Sequence, residues 1–280
     1  MTLDVIISLS CLTPTSVEER WNSLNHALKH FYAKQTGIDM RVIIVRQRLG
    51  SEEFPKIEAP KSMEVKEITI QYPIYNKGWG LNVGAKASNA KWILLADSDM
   101  FCFSDYFRNL IAWAKSKDLK WAFAWDQIYY YTEKEKKWMM KGESWGDECP
   151  KFLHEPSRGY SEGGLVLFDR QAYLDMGGTC EWIQELGGID TVMIDQTIHC
   201  YGGFHKEFKN KFPMKVYHLW HPQTPKNKRP TRKENIRLIQ WLRSNPKARE
   251  YLRKVNIGQL DQPKSARGKL EMLVKAGQVV

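Results

Sequence analysis

The sequence predicts an α/β fold, a mostly parallel sheet with helices on its faces. Three observations lead there. Short, largely apolar runs at residues 4–9, 40–45 and 92–96, with a more polar third stretch at 65–70, have the length of strands. Helical stretches separate the first run from the second and the third from the fourth, as crossover connections between parallel strands require. The fourth run, Trp92-Ile93-Leu94-Leu95-Ala96, ends in Asp97-Ser98-Asp99. A strand that ends in two acids delivers them to the carboxyl edge of a sheet, where open α/β folds bind ligands.

Each element has a local reason. Asp4 to Leu9 reads as the first strand. Ser16 with Glu19 three residues on is a capping box for a helix carried by Trp21, Leu24, Leu28 and Phe31, and Gly37 ends it. Met40 to Val45 follows as a strand. Gly50, Pro55 and Pro60 mark a loop over 48–62, and Val65 to Ile70 is a third strand. A turn over Asn76 to Gly84 leads into a helix from Leu81 to Ala90, and the Asp97–Asp99 strand comes next. Phe107 to Lys117 is helical and Trp121 to Trp125 a strand. Residues 134–159 are polar and read as a long loop or hairpin. Gly163 to Phe168 is a strand. A helix from Arg170 ends at Gly177-Gly178, and Gly187-Gly188 precedes a helix that Asp190 would cap. Val216 to Pro222 reads as a last strand, with helices from Thr231 and near 246–255.

The totals bound the function. At 280 residues with 42% hydrophobic content, the chain fits one large domain, or one domain with a small appendage. Domain boundaries are expected at 1–222 and 223–280. Five widely spaced cysteines without a Cys-x-x-Cys pair argue against a disulfide framework or a zinc site. The N-terminus lacks the basic region of a signal peptide, and no transmembrane segment is visible, so a cytoplasmic location is expected. Residues 206–280 hold 19 Lys and Arg against 5 Asp and Glu; residues 1–205 hold 23 against 27. A slightly acidic body therefore carries a basic C-terminal quarter. That asymmetry suits a polyanion or an anionic membrane surface along 226–254, or simply a solvated basic helix.

Four groups of residues carry chemistry. Gly78 and Gly80 in the 76–84 turn allow positive φ and close backbone approach, and Asn82 would sit at a helix start, where amides attract phosphate. Asp97 and Asp99 offer the hard oxygens that suit magnesium or manganese carrying a diphosphate. His218 and His221 are spaced as ligands at a strand end, and either imidazole could complete that site. Asp190, with Asp195 as rival, is placed to act as a general base toward a hydroxyl, although a simple N-cap explains Asp190 equally well. Glu162 and Glu181 lie near glycine pairs with weaker claims.

The order of these elements resembles the GT-A nucleotide-sugar glycosyltransferases. Asn76 to Gly84, followed by Leu94-Leu95-Ala96-Asp97-Ser98-Asp99, is similar to that family's central signature. The later part resembles the galactosyltransferase-like C-terminal region, which has a Gly-Gly strand, a Gly-Gly-x-x-Glu turn and a Gly-Gly-Glu-Asp helix start. Here these read Gly163-Gly164, Gly177-Gly178-Thr179-Cys180-Glu181 and Gly187-Gly188-Ile189-Asp190. The family's metal-binding histidine matches Tyr217-His218. The resemblance spans about residues 4–222. It departs at Ile189, where the family usually carries an acceptor-binding glutamate.

The resemblance implies transfer of a hexose or pentose from a nucleoside-diphosphate sugar to a hydroxyl acceptor. Asp99 and His218 would hold Mn2+ or Mg2+, with Asp97 acting through the metal or the donor ribose and, if transfer inverts the anomeric centre, Asp190 as base. Ser8, Gln47, Asn76, Gly78 and Asn82 stand where the family contacts the donor, and Trp145 with the aromatic 138–160 segment would form a lid or a sugar-stacking surface, or else simply pack. Two acceptors fit: a saccharide or lipid-linked hydroxyl, slightly favoured, and a hydroxymethylated DNA base, with Lys226, Lys228, Arg229, Arg232 and Lys233 on phosphates. Two other classes compete. One is a non-catalytic nucleic-acid-binding protein; the other is a sugar nucleotidyltransferase, whose phosphate loop Ser8-Leu9-Ser10-Cys11 does not provide.

Overall fold

The computed structural model describes residues 2–10, 14–51, 53–102, 105–125, 127–141, 163–184, 187–202, 215–219, 232–254 and 257–259. Its centre is a six-stranded sheet with spatial order β3-β2-β1-β4-β8-β6. These strands are β1 (Thr2–Ser10), β2 (Asp39–Arg48), β3 (Glu64–Gln71), β4 (Trp92–Ala96), β6 (Trp121–Phe123) and β8 (Leu165–Asp169). β3, β2, β1 and β4 run parallel, while β8 is antiparallel to both β4 and β6. The parallel part therefore comes from the N-terminal half. A second sheet, not anticipated from the sequence, joins β5 (Met100–Phe101), β9 (Lys215–His218) and β7 (Gln127–Tyr130) in the order β5-β9-β7.

Two apolar layers sandwich the main sheet. α1 (Pro14–His30) and α3 (Tyr106–Ser116) supply Trp21, Leu24, Leu28, Phe107 and Ile111 to one layer, together with Val5, Ile7 and Leu94. α2 (Lys77–Ala87), α5 (Arg170–Asp175) and α6 (Ile189–Tyr201) supply Trp79, Leu81, Val83, Tyr173, Met193 and Ile194 to the other, against Ile6, Ile43 and Ile93. Alternate side chains of β1 thus enter opposite layers, as the two-residue period of a strand demands. Both layers being apolar explains why the central strands read as unbroken hydrophobic runs.

Three elements differ from the sequence reading. α2 begins at Lys77, four residues before Leu81, so the glycine-rich segment is helix rather than turn. The Asn76 side chain caps it by accepting from Trp79 N at 2.9 Å. Gly78 and Gly80 accordingly do not take positive φ, and Asn82 lies in the second turn instead of at the helix start. The polar stretch after 132 opens as α4 (Glu133–Lys141). A reciprocal capping box starts it: Thr132 N donates to Glu135 Oε2 (2.6 Å) and Glu135 N to Thr132 Oγ1 (3.2 Å), satisfying two otherwise orphaned donors. α6 is capped by Gly188 at φ 91°, which places Asp190 inside the first turn with its side chain free for another task.

The basic C-terminal helices α7 (Arg232–Ser244) and α8 (Pro246–Lys254) pack into the fold. Leu242, Ala248 and Leu252 share a core with Ile183, Ile189 and Val192. Residues 257–259 then return across α2: Trp79 Nε1 donates to Gln259 O (2.6 Å) and Gly258 N to Glu181 Oε1 (2.6 Å). The described part of 223–280 is thus continuous with the body. No helix of the described residues is long and apolar enough to cross a membrane.

Candidate active site

The acids following β4 lie where the two sheets meet. Asp97 N donates to Gly164 O at 2.8 Å, carrying the β4–β8 pairing one residue beyond the strand. The chain then turns into β5, whose Met100 pairs with His218 of β9. Leu219 N donates to Asp99 O at 2.8 Å. These backbone bonds leave the buried Asp99 carboxylate (4% exposed) with Oδ1 3.7 Å from His218 Nε2. Tyr130 of β7 packs on the imidazole, ring centroids 4.9 Å apart. Asp99 and His218, 119 positions apart in the sequence, are neighbours because a two-residue strand pairs with a four-residue one.

On the other side of Asp97 is a group the sequence reading did not single out. Lys77 Nζ lies 2.6 Å from Asp97 Oδ1 and 3.1 Å from Asp190 Oδ1, with its side chain 16% exposed. Burial opposes charge on this ammonium, but Asp190 and Asp97 outweigh it and hold Lys77 above the ordinary lysine range. Burial also raises the Asp97 carboxyl, against the pull of Lys77. Gly163 makes room for Asp190: a Cβ there would stand 2.5 and 2.7 Å from its two carboxylate oxygens. Asp195 is engaged elsewhere, held by Arg243 of α7 at 2.6 and 3.3 Å. The structure therefore brings Asp97, Asp99, Asp190 and His218 together and adds Lys77.

Against solved structures, the chain is similar to GalNAc-T7 determined with UDP, GalNAc and Mn2+. The TM-score is 0.50 at 14% identity, over 96% of this chain and 54% of that one. The chain has the GT-A fold. S. aureus TarS 1–349 in complex with UDP-GlcNAc is similar over 86% of this chain and 67% of its own, at 13% identity and TM-score 0.48. The chain thus spans about half of GalNAc-T7 and two-thirds of the TarS fragment. No protein-family model and no curated protein matches the sequence.

Within the GT-A fold the remaining expected donor positions form a buried framework under the site. Gln47 is fully buried; its Oε1 accepts from Asn76 N (2.9 Å) and its Nε2 donates to Ile74 O (2.7 Å). Asn76 Nδ2 donates to Glu181 O (2.7 Å). Asn82, also fully buried, donates to Thr179 O and Glu181 Oε1 and accepts from Tyr173 Oη and Thr179 N, all within 2.6–2.9 Å. These amides are spent on fixing α2, so they position the site from behind. Gly80 and Gly84 let α2 lie directly on Ser8 and Ile6 of β1, and a Cβ at Gly78 would meet Cys180 O at 2.7 Å. Ser8 and Ser10, at the carboxyl end of β1, keep buried hydroxyls without a hydrogen-bond partner. Glu181 is raised above the ordinary glutamate value by burial. His221, Trp145, Glu162, Lys226, Lys228 and Arg229 lie outside the described residues, and Lys233 is exposed on α7.

Asp99 and His218 fit a divalent cation bound with a diphosphate. Magnesium-type sites of this kind use one or two protein ligands and take the rest from phosphate and water, in place of an all-protein cage. No cluster of three or more candidate ligands occurs among the described residues. Lys77 pairs with Asp97, while Asp99 faces His218.

Proposed function

We propose that the chain is a metal-dependent glycosyltransferase that moves a hexosyl or pentosyl group from a nucleoside-diphosphate sugar to a hydroxyl acceptor. One observation carries this reading. At the carboxyl edge of a GT-A sheet, a ligand pair suited to a diphosphate-bound cation (Asp99, His218) adjoins a carboxylate placed for base chemistry (Asp190), with Lys77 and Asp97 between them. Both GalNAc-T7 and TarS have been determined with UDP or a UDP-sugar, which supports a nucleotide-sugar donor.

Asp99 and His218 would hold Mn2+ or Mg2+ on the two phosphates. The cation, when bound, neutralises charge on the departing diphosphate. Asp97 orients the donor through the cation or the ribose. Asp190 accepts the proton of the acceptor hydroxyl as its oxygen attacks the anomeric carbon. The acceptor is a saccharide-type hydroxyl. The basic stretch 226–254 makes hydroxymethylated DNA the second candidate.

The test has two arms. Thermal unfolding with Mn2+ and a panel of nucleotide sugars identifies the donor, since a bound ligand stabilises by mass action. Absence of any metal-dependent shift across the panel sinks the enzyme reading. Binding to duplex DNA over a salt series separates the acceptors: a steep fall of affinity with salt supports DNA, and a weak, flat response supports the saccharide.

A further inference from the structure

We infer that Lys77 is a positioning residue, which clasps Asp190 to Asp97 and so fixes the base relative to the donor end of the site. This rests on the proposed glycosyl transfer and extends it to a residue with no assigned role.

The placement of Lys77 is costly and over-determined. It is the first residue of α2, and no acid occupies the first turn of that helix. A cation there meets the positive end of the helix dipole, an unfavourable arrangement. Rules broken locally are characteristic of functional positions. Its backbone cannot drift. Asn76, the preceding residue, is tied through its N to Gln47, through Nδ2 to Glu181 O and through Oδ1 to Trp79 N. From this anchored start one buried ammonium reaches two carboxylates, at 2.6 and 3.1 Å.

The clasp solves a problem of charge and of geometry. Asp97, Asp99 and Asp190 place three acids where a diphosphate must also sit. Asp99 is served by His218 and the proposed cation. Asp97 and Asp190 come from different elements, and like charges so close repel unless a cation lies between them. With Lys77 in place, the two bonded oxygens can be no farther apart than its two contacts laid end to end. Asp190 is thereby held at a set distance from the donor-binding acid, although it stands on a helix whose cap is a glycine in the left-handed region. Positioning of this kind matters because displacing a reacting group by about 1 Å can cost about 10²-fold in rate.

The experiment compares Lys77→Met and Lys77→Arg in the full chain, with donor affinity measured separately from turnover. Lys77→Met is expected to lower kcat for transfer about 100-fold, while nucleotide-sugar affinity with Mn2+ changes less than about threefold. Lys77→Arg, able to bridge two carboxylates, should recover most of kcat. A Lys77→Met protein that keeps wild-type kcat overturns the inference. So does one that loses about 100-fold in donor affinity at unchanged kcat, because Lys77 is then a diphosphate ligand. A second readout needs no activity: thermal unfolding of Lys77→Met, Asp190→Asn and the double variant without ligand. The clasp predicts shifts that fail to add by about 1–2 °C, and additive shifts refute it. That cycle stands even if the donor panel shows no binding, which would defeat the functional reading alone. If Lys77→Met does not fold, Lys77→Gln replaces it with the same outcomes.

Discussion

Replacing Gly163 by alanine is expected to disable transfer while leaving the protein folded and able to bind donor. The added methyl carbon would lie 2.5 and 2.7 Å from the Asp190 oxygens, and closer to Cγ. Carbon contacts become comfortable only at about 3.5 Å, so the carboxylate must retreat by about 1 Å. Misplacing a base by that much costs about 10² in kcat, or about 2.7 kcal/mol of transition-state stabilisation. Stability should barely move. Gly163 is outside the left-handed region, so alanine gains about 0.4–1 kcal/mol by restricting the unfolded chain. The loss is one partly exposed ion pair, about 0–1 kcal/mol. Initial rates of product formation at saturating donor, read beside thermal unfolding and donor affinity, decide the matter. A Gly163→Ala protein with kcat within about threefold of the parent would show that Asp190 is not the base. A fall of more than about 10 °C in Tm would show that the methyl disturbs more than this carboxylate.

Asp99→Asn should abolish the Mn2+-dependent thermal shift given by the nucleotide sugar, worth about 2.7 kcal/mol at 100 times Kd in the parent; a retained shift would move the cation site elsewhere. Asn82→Ala should cost about 3 kcal/mol in urea unfolding, because it removes four interior hydrogen bonds at about 1 kcal/mol each, those given to Thr179 O and Glu181 Oε1 and those received from Tyr173 Oη and Thr179 N; a cost under about 1 kcal/mol would refute the framework assigned to it. Burial, then His30, Lys29 and Lys136, lowers His26 from 6.5 to about 4. Between those values the unfolded chain binds the extra proton, so stability is complete above about 6.5 and falls on the order of 3 kcal/mol as pH drops to about 4. His26→Gln should flatten that slope in pH-dependent unfolding, and an unchanged slope would reassign it. Thr132→Ala should destabilise by about 1 kcal/mol through loss of the α4 cap, measured by urea denaturation, and no change would show that the cap is dispensable.

What the sequence disclosed and what it hid follow from how far each signal reaches. The strand run into Asp97 and Asp99 is local, so its position at a sheet edge could be read from a dozen residues. The cap of α4 is equally local, four residues from Thr132 to Glu135, and was passed over because the surrounding stretch is polar. The glycines at 78, 80 and 84 carry the opposite lesson. Their low helix propensity argues for a turn, yet they form the helix face that touches β1 and Cys180, where any side chain would collide. Tertiary contact overrode propensity. Lys77 left no local trace at all. Its partners lie 20 and 113 positions away, and a lysine after an asparagine says nothing until the sheet has brought all three together.

The return of residues 257–259 over α2 sets a timetable for the growing chain. Trp79 waits 180 positions for the carbonyl of Gln259, and the backbone that meets Asn82 and Glu181 arrives in the same few residues. At about 5–20 residues per second, α2 is synthesised roughly 10–40 s before its outer face can be covered. During that interval Trp79 Nε1 and the flank of α2 at Asn82 lack the partners that residues 258 and 259 supply. The proposed donor side of the site is thus made early and receives these contacts late. A ribosome stalled after residue 254 would have made every described strand, while α2 still lacked the contacts of residues 258 and 259.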